Sequence, residues 1–243
     1  MSDSKPCTFP HNQLYYNCII LLVRIYFTCR LGKVRVYGME RQIVVTIGRC
    51  FGSNGRRIGE KLAQDLGIHF YDRNLIERAS KESGIDWKTM GQADEKLIGR
   101  VLKFAPGFDF IQDNPNEKIY RAQAETIRKI VKSGESCVIV GRGADYVLRN
   151  RPEVLKVYIY APYSLRVETV MERYHFSREE AEKVVRYMDK TRKNYYEYFT
   201  DNNWDQKEGK DLLIDSSEFG VDGTAGLLKA AVECKMKKDW DDL

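Results

Sequence analysis

The stretch IVVTIGRCFGSNGRRIGEKLAQDLG, residues 43–67, decides the fold of this chain. A continuous β-branched run, Gln42–Ile47, leads through a glycine-rich turn into Ile58–Leu66, where apolar residues recur at helical spacing. The apolar run predicts a strand that is buried on both faces of a parallel sheet. A glycine-rich turn between a strand and a helix exposes backbone N–H groups at the positive end of the helix dipole, which favours anion binding.

Further apolar runs and helical patterns alternate along the chain. The predicted strands after the first are Ile68–Tyr71, Ser136–Val140, Val154–Tyr160 and Leu212–Ile214. The predicted helices after the first are Arg73–Ser83, Asn116–Lys132, 161–174, Ser177–Phe199 and Val221–Lys238. This alternation predicts βαβ units and a parallel sheet with helices on both faces, a three-layer α/β/α domain. Ile85–Pro115 is polar and irregular, and we interpret it as an insertion in a single domain covering residues 39–243.

Composition separates the first 38 residues from the rest of the chain. They hold five Lys or Arg against one Asp, so that only +1 of the formal charge of +5 remains for residues 39–243. The nearly neutral charge of residues 39–243 gives no indication of a nucleic-acid partner. The apolar run Leu14–Leu31 contains Arg24, which disfavours a membrane-spanning helix. We interpret residues 1–38 as an extension upstream of a functional start at Met39, and a weak membrane anchor is the alternative.

The cysteines indicate a compartment rather than a site. The chain has six of them, without a CxxC pair. Neither a zinc site nor a disulfide framework is predicted from this pattern. Because the N terminus also lacks the pattern of a signal peptide, we expect a protein of the reducing cytoplasm.

The turn Gly48–Arg57 is the strongest chemical feature of the sequence. It differs from the standard phosphate loop GxxxxGK[ST] at two positions. We interpret Arg56 as standing in place of the lysine and Arg57 as standing in place of the Ser or Thr whose hydroxyl binds magnesium. Arginine binds phosphate through two parallel hydrogen bonds, and Ser53 is the candidate hydroxyl ligand of a metal. The other predicted phosphate-binding positions are Gly48, Gly52, Asn54 and Gly55. A glycine-rich turn that binds nothing is the alternative interpretation.

A second candidate site follows the predicted strand Ser136–Val140. The sequence Gly-Arg-Gly-Ala-Asp occupies positions 141–145, at the end of a strand where ligands bind in parallel α/β folds. Arg142, between two glycines that allow close approach, is a candidate phosphate-binding residue, and a surface arginine in a salt bridge is the alternative. Asp72 ends an earlier strand at the same edge of the sheet. It either orients a substrate hydroxyl or caps the following helix.

Basic residues on the predicted helix Ser177–Phe199 form a third candidate site. Arg186, Asp189 and Lys193 share one helix face, and Arg192 lies beside them. Basic side chains that converge on a polyphosphate neutralise the charge that develops on a transferred group. A solvated, ion-paired helix face is the alternative interpretation.

Taken together, these segments resemble the cytidylate kinase-like family, a branch of the P-loop nucleoside monophosphate kinases. The resemblance is carried by residues 43–76, by CVIVGRGADYVLR at 137–149, by the helical region 164–199 and by DLLIDSS at 211–217. It implies the P-loop kinase fold with a parallel five-stranded sheet, a helical lid region at residues 173–205 and a substrate-binding lobe at residues 85–115.

The resemblance also implies an activity, the Mg²⁺-dependent transfer of the γ-phosphoryl group of ATP to CMP, dCMP or a similar nucleoside monophosphate. ATP then binds on the Gly48–Arg57 turn. The implied substrate-binding residues are Asp72, Arg142, Asp145 and Arg173, and the implied catalytic residues are Arg56, Arg186, Asp189 and Arg192.

The partners expected from this interpretation are small molecules, ATP and its acceptor, without a nucleic acid or a membrane; a second copy of the chain in a homodimer is left open. Two other functions are also left open. One is a kinase of a different small molecule on the same scaffold, and the other is a nucleotide-binding module without turnover.

Overall fold

The computed structural model describes residues 42–72, 117–200, 202–205 and 207–237. The chain divides into two units, Met1–Glu40 and Arg41–Leu243, and every described residue belongs to the second. The predicted extension 1–38, the predicted helix Arg73–Ser83 and the predicted insertion 85–115 lie outside the described residues.

Five parallel strands form one sheet, as the alternating pattern and the resemblance predict. They are β1 (Val44–Arg49), β2 (His69–Tyr71), β3 (Cys137–Val140), β4 (Val154–Tyr160) and β5 (Leu212–Asp215). Their order across the sheet is β2-β3-β1-β4-β5, so β1 lies at the centre. In the register of the sheet, Val44 pairs with Cys137 of β3 on one side and with Val154 of β4 on the other. The prediction of a parallel five-stranded sheet is confirmed.

Six helices accompany this sheet within the described residues. They are α1 (Gly55–Leu66), α2 (Glu117–Lys132), α3 (Ala144–Val147), α4 (Tyr163–Tyr174), α5 (Arg178–Thr200) and α6 (Ser216–Lys237). Ser177 and Glu180 form a capping box at the start of α5, in which Glu180 accepts from the Ser177 N–H at 2.8 Å and Ser177 Oγ accepts from the Glu180 N–H at 3.3 Å. Among the helices that the structure describes, none combines the length and the apolar composition needed to cross a membrane.

α1 packs closely on the centre of the sheet because Gly59 carries no side chain. A Cβ atom at Gly59 would lie 3.0 Å from Ile47 Cδ1 and 3.1 Å from Val140 Cγ2, and both strand residues are buried. Ile58 and Leu62 of the same helix are also buried, and α6 packs against α1. This packing fixes the N terminus of α1 next to the end of β1, where the glycine-rich turn joins them.

The remaining helices bury two further apolar clusters. One cluster joins α2 and α3 to the sheet, and its members include Ile127, Ile130, Ile139, Val147 and Val154. The other joins α4 and α5 to the glycine-rich turn, and its members include Phe51, Val167, Val170, Val184 and Met188. Phe51 is therefore the apolar residue through which the turn packs on α4 and α5, which we call the outer helices.

Two glycine substitutions test this description of the packing. We expect Gly59→Val to lower the free energy of unfolding by about 1–3 kcal/mol, because the added methyl groups overpack the contact with Ile47 and Val140. Gly226 of α6 is exposed, and a Cβ there would meet no atom within 4 Å. Gly226→Ala is expected to raise that free energy by about 0.5–1 kcal/mol through its higher helix propensity. Urea unfolding measures both changes, and a Gly59→Val variant as stable as the wild type would contradict the described packing.

Candidate active site

The carboxyl ends of β1 and β3 border a crevice at one edge of the sheet. The two strands are neighbours, but the chain leaves β1 through α1 toward β2, whereas after β3 it crosses to β4 on the other side of β1. Adjacent parallel strands with connections in opposite directions open such a crevice, and ligands bind there in this class of fold. The first turn, Cys50–Asn54, follows β1, and the second turn, Gly141–Gly143, follows β3. The structure therefore brings the two predicted phosphate-binding turns together.

The first turn combines left-handed residues with the start of a helix. Gly52 and Asn54 have φ angles of 82° and 59°. Gly52 also allows α4 to approach, because a Cβ at this position would lie 2.6 Å from the Arg166 carbonyl oxygen. α1 begins directly after Asn54, and its first turn holds Arg56 and Arg57 and no acidic residue. The helix dipole and the two arginines make this side of the crevice electropositive.

An ion pair between the outer helices holds the first turn. Asp189 of α5 accepts hydrogen bonds from the Phe51 N–H at 2.7 Å and from Arg166 Nη1 of α4 at 2.5 Å. The same Arg166 nitrogen donates to the Phe51 carbonyl oxygen at 3.1 Å, and Arg166 is only 9% exposed. Sequence reasoning selected Asp189 as a catalytic residue and missed Arg166. The sequence signal that marks Arg166 is its place four residues before Val170, on the helix face that Val170 buries.

Two of the predicted lid arginines contact the first turn. Arg173, at the end of α4, donates through Nη2 to Asn54 Oδ1 at 2.5 Å. Arg192 of α5 donates to the Arg49 carbonyl oxygen at 3.3 Å, and its guanidinium carbon lies 5.2 Å from the centre of the Phe51 ring. The outer helices thus bring two positive charges to the turn, Arg192 at its start and Arg173 at its end, next to α1.

Two other predicted arginines form ion pairs. Arg186 is exposed on α5 and pairs with Glu182, one helical turn earlier, at 2.9 Å. Arg56 Nε donates to Asp72 Oδ2 at 2.7 Å, and Arg56 Nη1 lies 3.9 Å from a Glu60 carboxylate oxygen. Asp72 is buried, so this pair connects α1 to the end of β2. A phosphate contact from Arg186 or Arg56 would therefore compete with a carboxylate that the arginine already binds.

Ser53, the predicted hydroxyl ligand of a metal, is buried under the first turn. Its hydroxyl donates to backbone carbonyl oxygens and lies 3.0 Å from Cys50 O and 3.2 Å from Ile159 O. In the part of the chain that the structure describes, no three His, Cys, Asp or Glu side chains cluster as a metal site would require. Metal ligation by Ser53 stays a prediction.

The second turn presents Arg142 from an unusual backbone conformation. Arg142 has a φ of 62°, and its neighbours Gly141 and Gly143 have φ angles of 77° and 62°. A positive φ at a residue other than glycine is uncommon and is found mostly where the surrounding structure imposes it. Burial raises the pKa of the Tyr195 hydroxyl, and the positive charge of Arg142 opposes this shift. Arg142 therefore lies near α5, the helix that also contacts the first turn.

Asp145, the acidic candidate beside the second turn, belongs to a buried ion pair. Its carboxylate accepts hydrogen bonds from Tyr196 Oη at 2.8 Å and from Lys210 Nζ. Only 2% of the Lys210 side chain is exposed, and its Nζ lies 3.0 Å from Tyr196 Oη. Burial and the Asp145 carboxylate raise the pKa of the Tyr196 hydroxyl. Asp145 thus connects α3 to α5 and to the segment before β5, and its contact with a substrate stays a prediction.

Cys50 is the first residue of the first turn, and its thiol is partly buried. Its Sγ lies 3.4 Å from Tyr158 Oη, and burial raises the pKa of the thiol. A neutral thiol is a weak nucleophile, so covalent catalysis by Cys50 is disfavoured. The chemistry that the crevice offers is therefore that of backbone N–H groups and guanidinium side chains.

A family model and two relatives of this chain carry related descriptions. A family model described as the cytidylate kinase-like family matches residues 44–218. A cytidylate kinase from Methanopyrus kandleri is 26% identical over 204 residues, which cover 81% of this chain and 96% of that protein. A cytidylate kinase from Pyrococcus horikoshii is 27% identical over 195 residues, which cover 79% of this chain and 89% of that protein.

A solved structure agrees with the fold. The crystal structure of an uncharacterised protein from Eubacterium ventriosum matches this chain with a TM-score of 0.62 at 25% identity, over 79% of this chain and 99% of that one. The family match begins in β1 and ends in α6, so it includes both turns of the crevice and both outer helices. The three-layer architecture is that of the P-loop kinases, as the sequence predicts. The family model covers more than half of this chain, and the chain therefore belongs to the cytidylate kinase-like family.

Proposed function

We propose that this protein transfers the γ-phosphoryl group of ATP to a nucleoside monophosphate, and that CMP and dCMP are its acceptors. The observation that carries the proposal is the position of two phosphate-suited turns, Cys50–Asn54 and Gly141–Gly143, on neighbouring strands at one crevice. Family membership supports kinase activity, and the cytidylate kinases among the relatives support the acceptor class.

The proposed reaction needs positioning and charge neutralisation rather than a general base. An oxygen of the acceptor phosphate forms a bond to the γ-phosphorus of ATP, while the bond from that phosphorus to the β,γ-bridging oxygen breaks. The electron pair of the broken bond stays on the bridging oxygen. With a dianionic acceptor phosphate, the products are ADP and a nucleoside diphosphate, and no proton is released. Mg²⁺ enters as part of the Mg-ATP substrate, because Mg²⁺ in such complexes is bound largely by phosphate oxygens and water.

The first turn and α1 bind the donor phosphates in this proposal. Backbone N–H groups and the positive end of the α1 dipole attract the triphosphate. Asp189 accepts a hydrogen bond from the Phe51 N–H and Arg166 donates one to the Phe51 carbonyl oxygen, which preorganises the turn before ATP binds. Arg173 and Arg192 add positive charge from the outer helices.

Acceptor-dependent ADP release by the full-length chain tests the proposal. We expect release from Mg-ATP to be faster with CMP or dCMP than with UMP, AMP or GMP. Faster release with another member of the panel would support kinase activity but assign a different acceptor. Absence of acceptor-dependent release, in a protein shown to bind ATP by calorimetry, would contradict phosphoryl transfer to nucleoside monophosphates.

Arg142 is expected to bind the acceptor phosphate. Arg142→Asn removes the charge while keeping a residue type that tolerates the φ of 62° at this position. We expect the acceptor KM to rise by about 10- to 100-fold, the effect of one hydrogen bond to a charged group, with a smaller change in the KM for ATP. Arg151→Gln is the matched control, because Arg151 is exposed and pairs with Glu153 before β4, away from the crevice. Equal acceptor KM values for Arg142→Asn and the control would refute this role.

Asp189 is expected to position the first turn. Asp189→Asn removes the charge that faces Arg166, and we expect a loss of about 3 kcal/mol in the free energy of unfolding together with a lower kcat. Glu179→Gln on the same helix is the control, since Glu179 forms a solvent-exposed pair with Lys183 whose loss should leave the free energy of unfolding nearly unchanged. Urea unfolding and steady-state kinetics measure the two effects. An Asp189→Asn variant that matches Glu179→Gln in both would show that the turn does not depend on this carboxylate.

A further inference from the structure

Gly55, the first residue of α1, is a glycine that the backbone conformation does not require. Its φ is not among the positive values that favour glycine, and glycine weakens a helix. Its surroundings supply the reason, because a Cβ at Gly55 would lie 2.7 Å from the Cβ and 3.1 Å from the Cγ of Arg49. Gly55 thus makes room for the side chain of Arg49, the last residue of β1.

The same arginine side chain reaches the second turn. A Cβ at Gly141 would overlap with Arg49 Nη1 and would lie 3.1 Å from Arg49 Cζ. The guanidinium of Arg49 therefore lies against the backbone of Gly141, next to Arg142 in the chain. Since the stem of Arg49 passes Gly55 and its head meets Gly141, this one side chain spans the crevice between the two turns.

The position of Arg49 differs from that of Arg56, the arginine selected from the sequence. Arg56 pairs with Asp72 at 2.7 Å, at the end of β2 and therefore one strand further from β1 than Gly141. Arg49 is half-buried, and its carbonyl oxygen accepts a hydrogen bond from Arg192. Its guanidinium lies against Gly141, so it stands between the two turns that the proposed function assigns to the donor and the acceptor.

We propose that Arg49 is the catalytic cation of the site and contacts the phosphoryl group during its transfer. The assignment rests on the proposed function and deepens it. A guanidinium presents donors in a fixed plane that matches phosphate oxygens, and its charge does not titrate in the physiological range. Placed between the donor and the acceptor turns, it neutralises charge on the equatorial oxygens while one O–P bond breaks and the other forms. Gly55 and Gly141 are the residues that keep its path open.

Charge removal gives the first test, in the full-length chain with the best acceptor of the panel. We expect Arg49→Gln to lower kcat/KM by about 100- to 1,000-fold, the effect of losing one preorganised donor, and Arg56→Gln to lower it by less than about tenfold. Arg151→Gln is expected to match the wild type. An Arg49→Gln variant within about threefold of the wild type, or a larger loss in Arg56→Gln than in Arg49→Gln, would overturn the assignment.

Displacement of the guanidinium gives a second test that leaves every charge in place. Gly55→Ala introduces a Cβ that collides with Arg49, whereas alanine is the better helix former and should not weaken α1 by itself. We expect kcat to fall by about tenfold or more. The melting temperature should also fall, because the collision involves the Cβ of Arg49, which the backbone of β1 holds in place. Unchanged kcat in a folded Gly55→Ala variant would count against the assignment. If Arg49→Gln fails to fold, Arg49→Lys replaces it, and an intermediate kcat/KM is then expected because the charge is kept and the planar fork is lost.

Binding of ATP, measured by calorimetry, separates the failure of this assignment from the failure of the proposed function. A wild-type protein that binds ATP but releases no ADP with any acceptor refutes the proposed function alone. In that case a Kd for ATP that rises by about tenfold or more in Arg49→Gln, relative to Arg151→Gln, still supports a phosphate contact by Arg49. An unchanged Kd in the folded variant overturns it.

Discussion

The Asp189 carboxylate is the contact on which the geometry of the crevice depends. The first turn extends beyond the hydrogen-bonded sheet, so ladder bonds fix β1 but not the backbone that has to face a phosphate. One carboxylate joins the Phe51 N–H to Arg166, and through them joins the turn to α4 and α5. A pair with so little exposure interacts strongly because little water screens it, and for the same reason either partner alone would be costly to leave buried.

The fold could be predicted from the sequence because its strands, helices and turns each have a local sequence pattern. The continuous apolar run at Gln42–Ile47, the alternation of such runs with helical segments and the glycine-rich turn are each visible within a short window. Together they predict a parallel sheet, which the structure shows, and the family that the motifs resemble is the one whose model matches the chain. The predictions for 1–38 and 85–115 lie outside the described residues.

The candidate site could be predicted only in part, because tertiary contacts determine where its side chains lie. Helical spacing selected Asp189, but its partner Arg166 lies on a different helix, and no local pattern pairs the two. Arg49 lies inside the glycine-rich motif. Comparison with GxxxxGK[ST] nevertheless assigns the role of the lysine to Arg56, because it considers only the position of a residue in the sequence. Only the space left at Gly55 shows which side chain crosses the crevice.

The two contacts that hold α5 limit how this helix can rotate. Asp189 holds it to the first turn, and Tyr196, two helical turns later and about 10 Å along the axis, holds it to Asp145. A helix held at two points cannot turn about its own axis without breaking one of the two contacts. Arg192 lies between them, so its guanidinium keeps its direction toward the first turn. Arg173 belongs to α4, which Arg166 holds to the same turn, so both arginines reach the crevice from fixed helices.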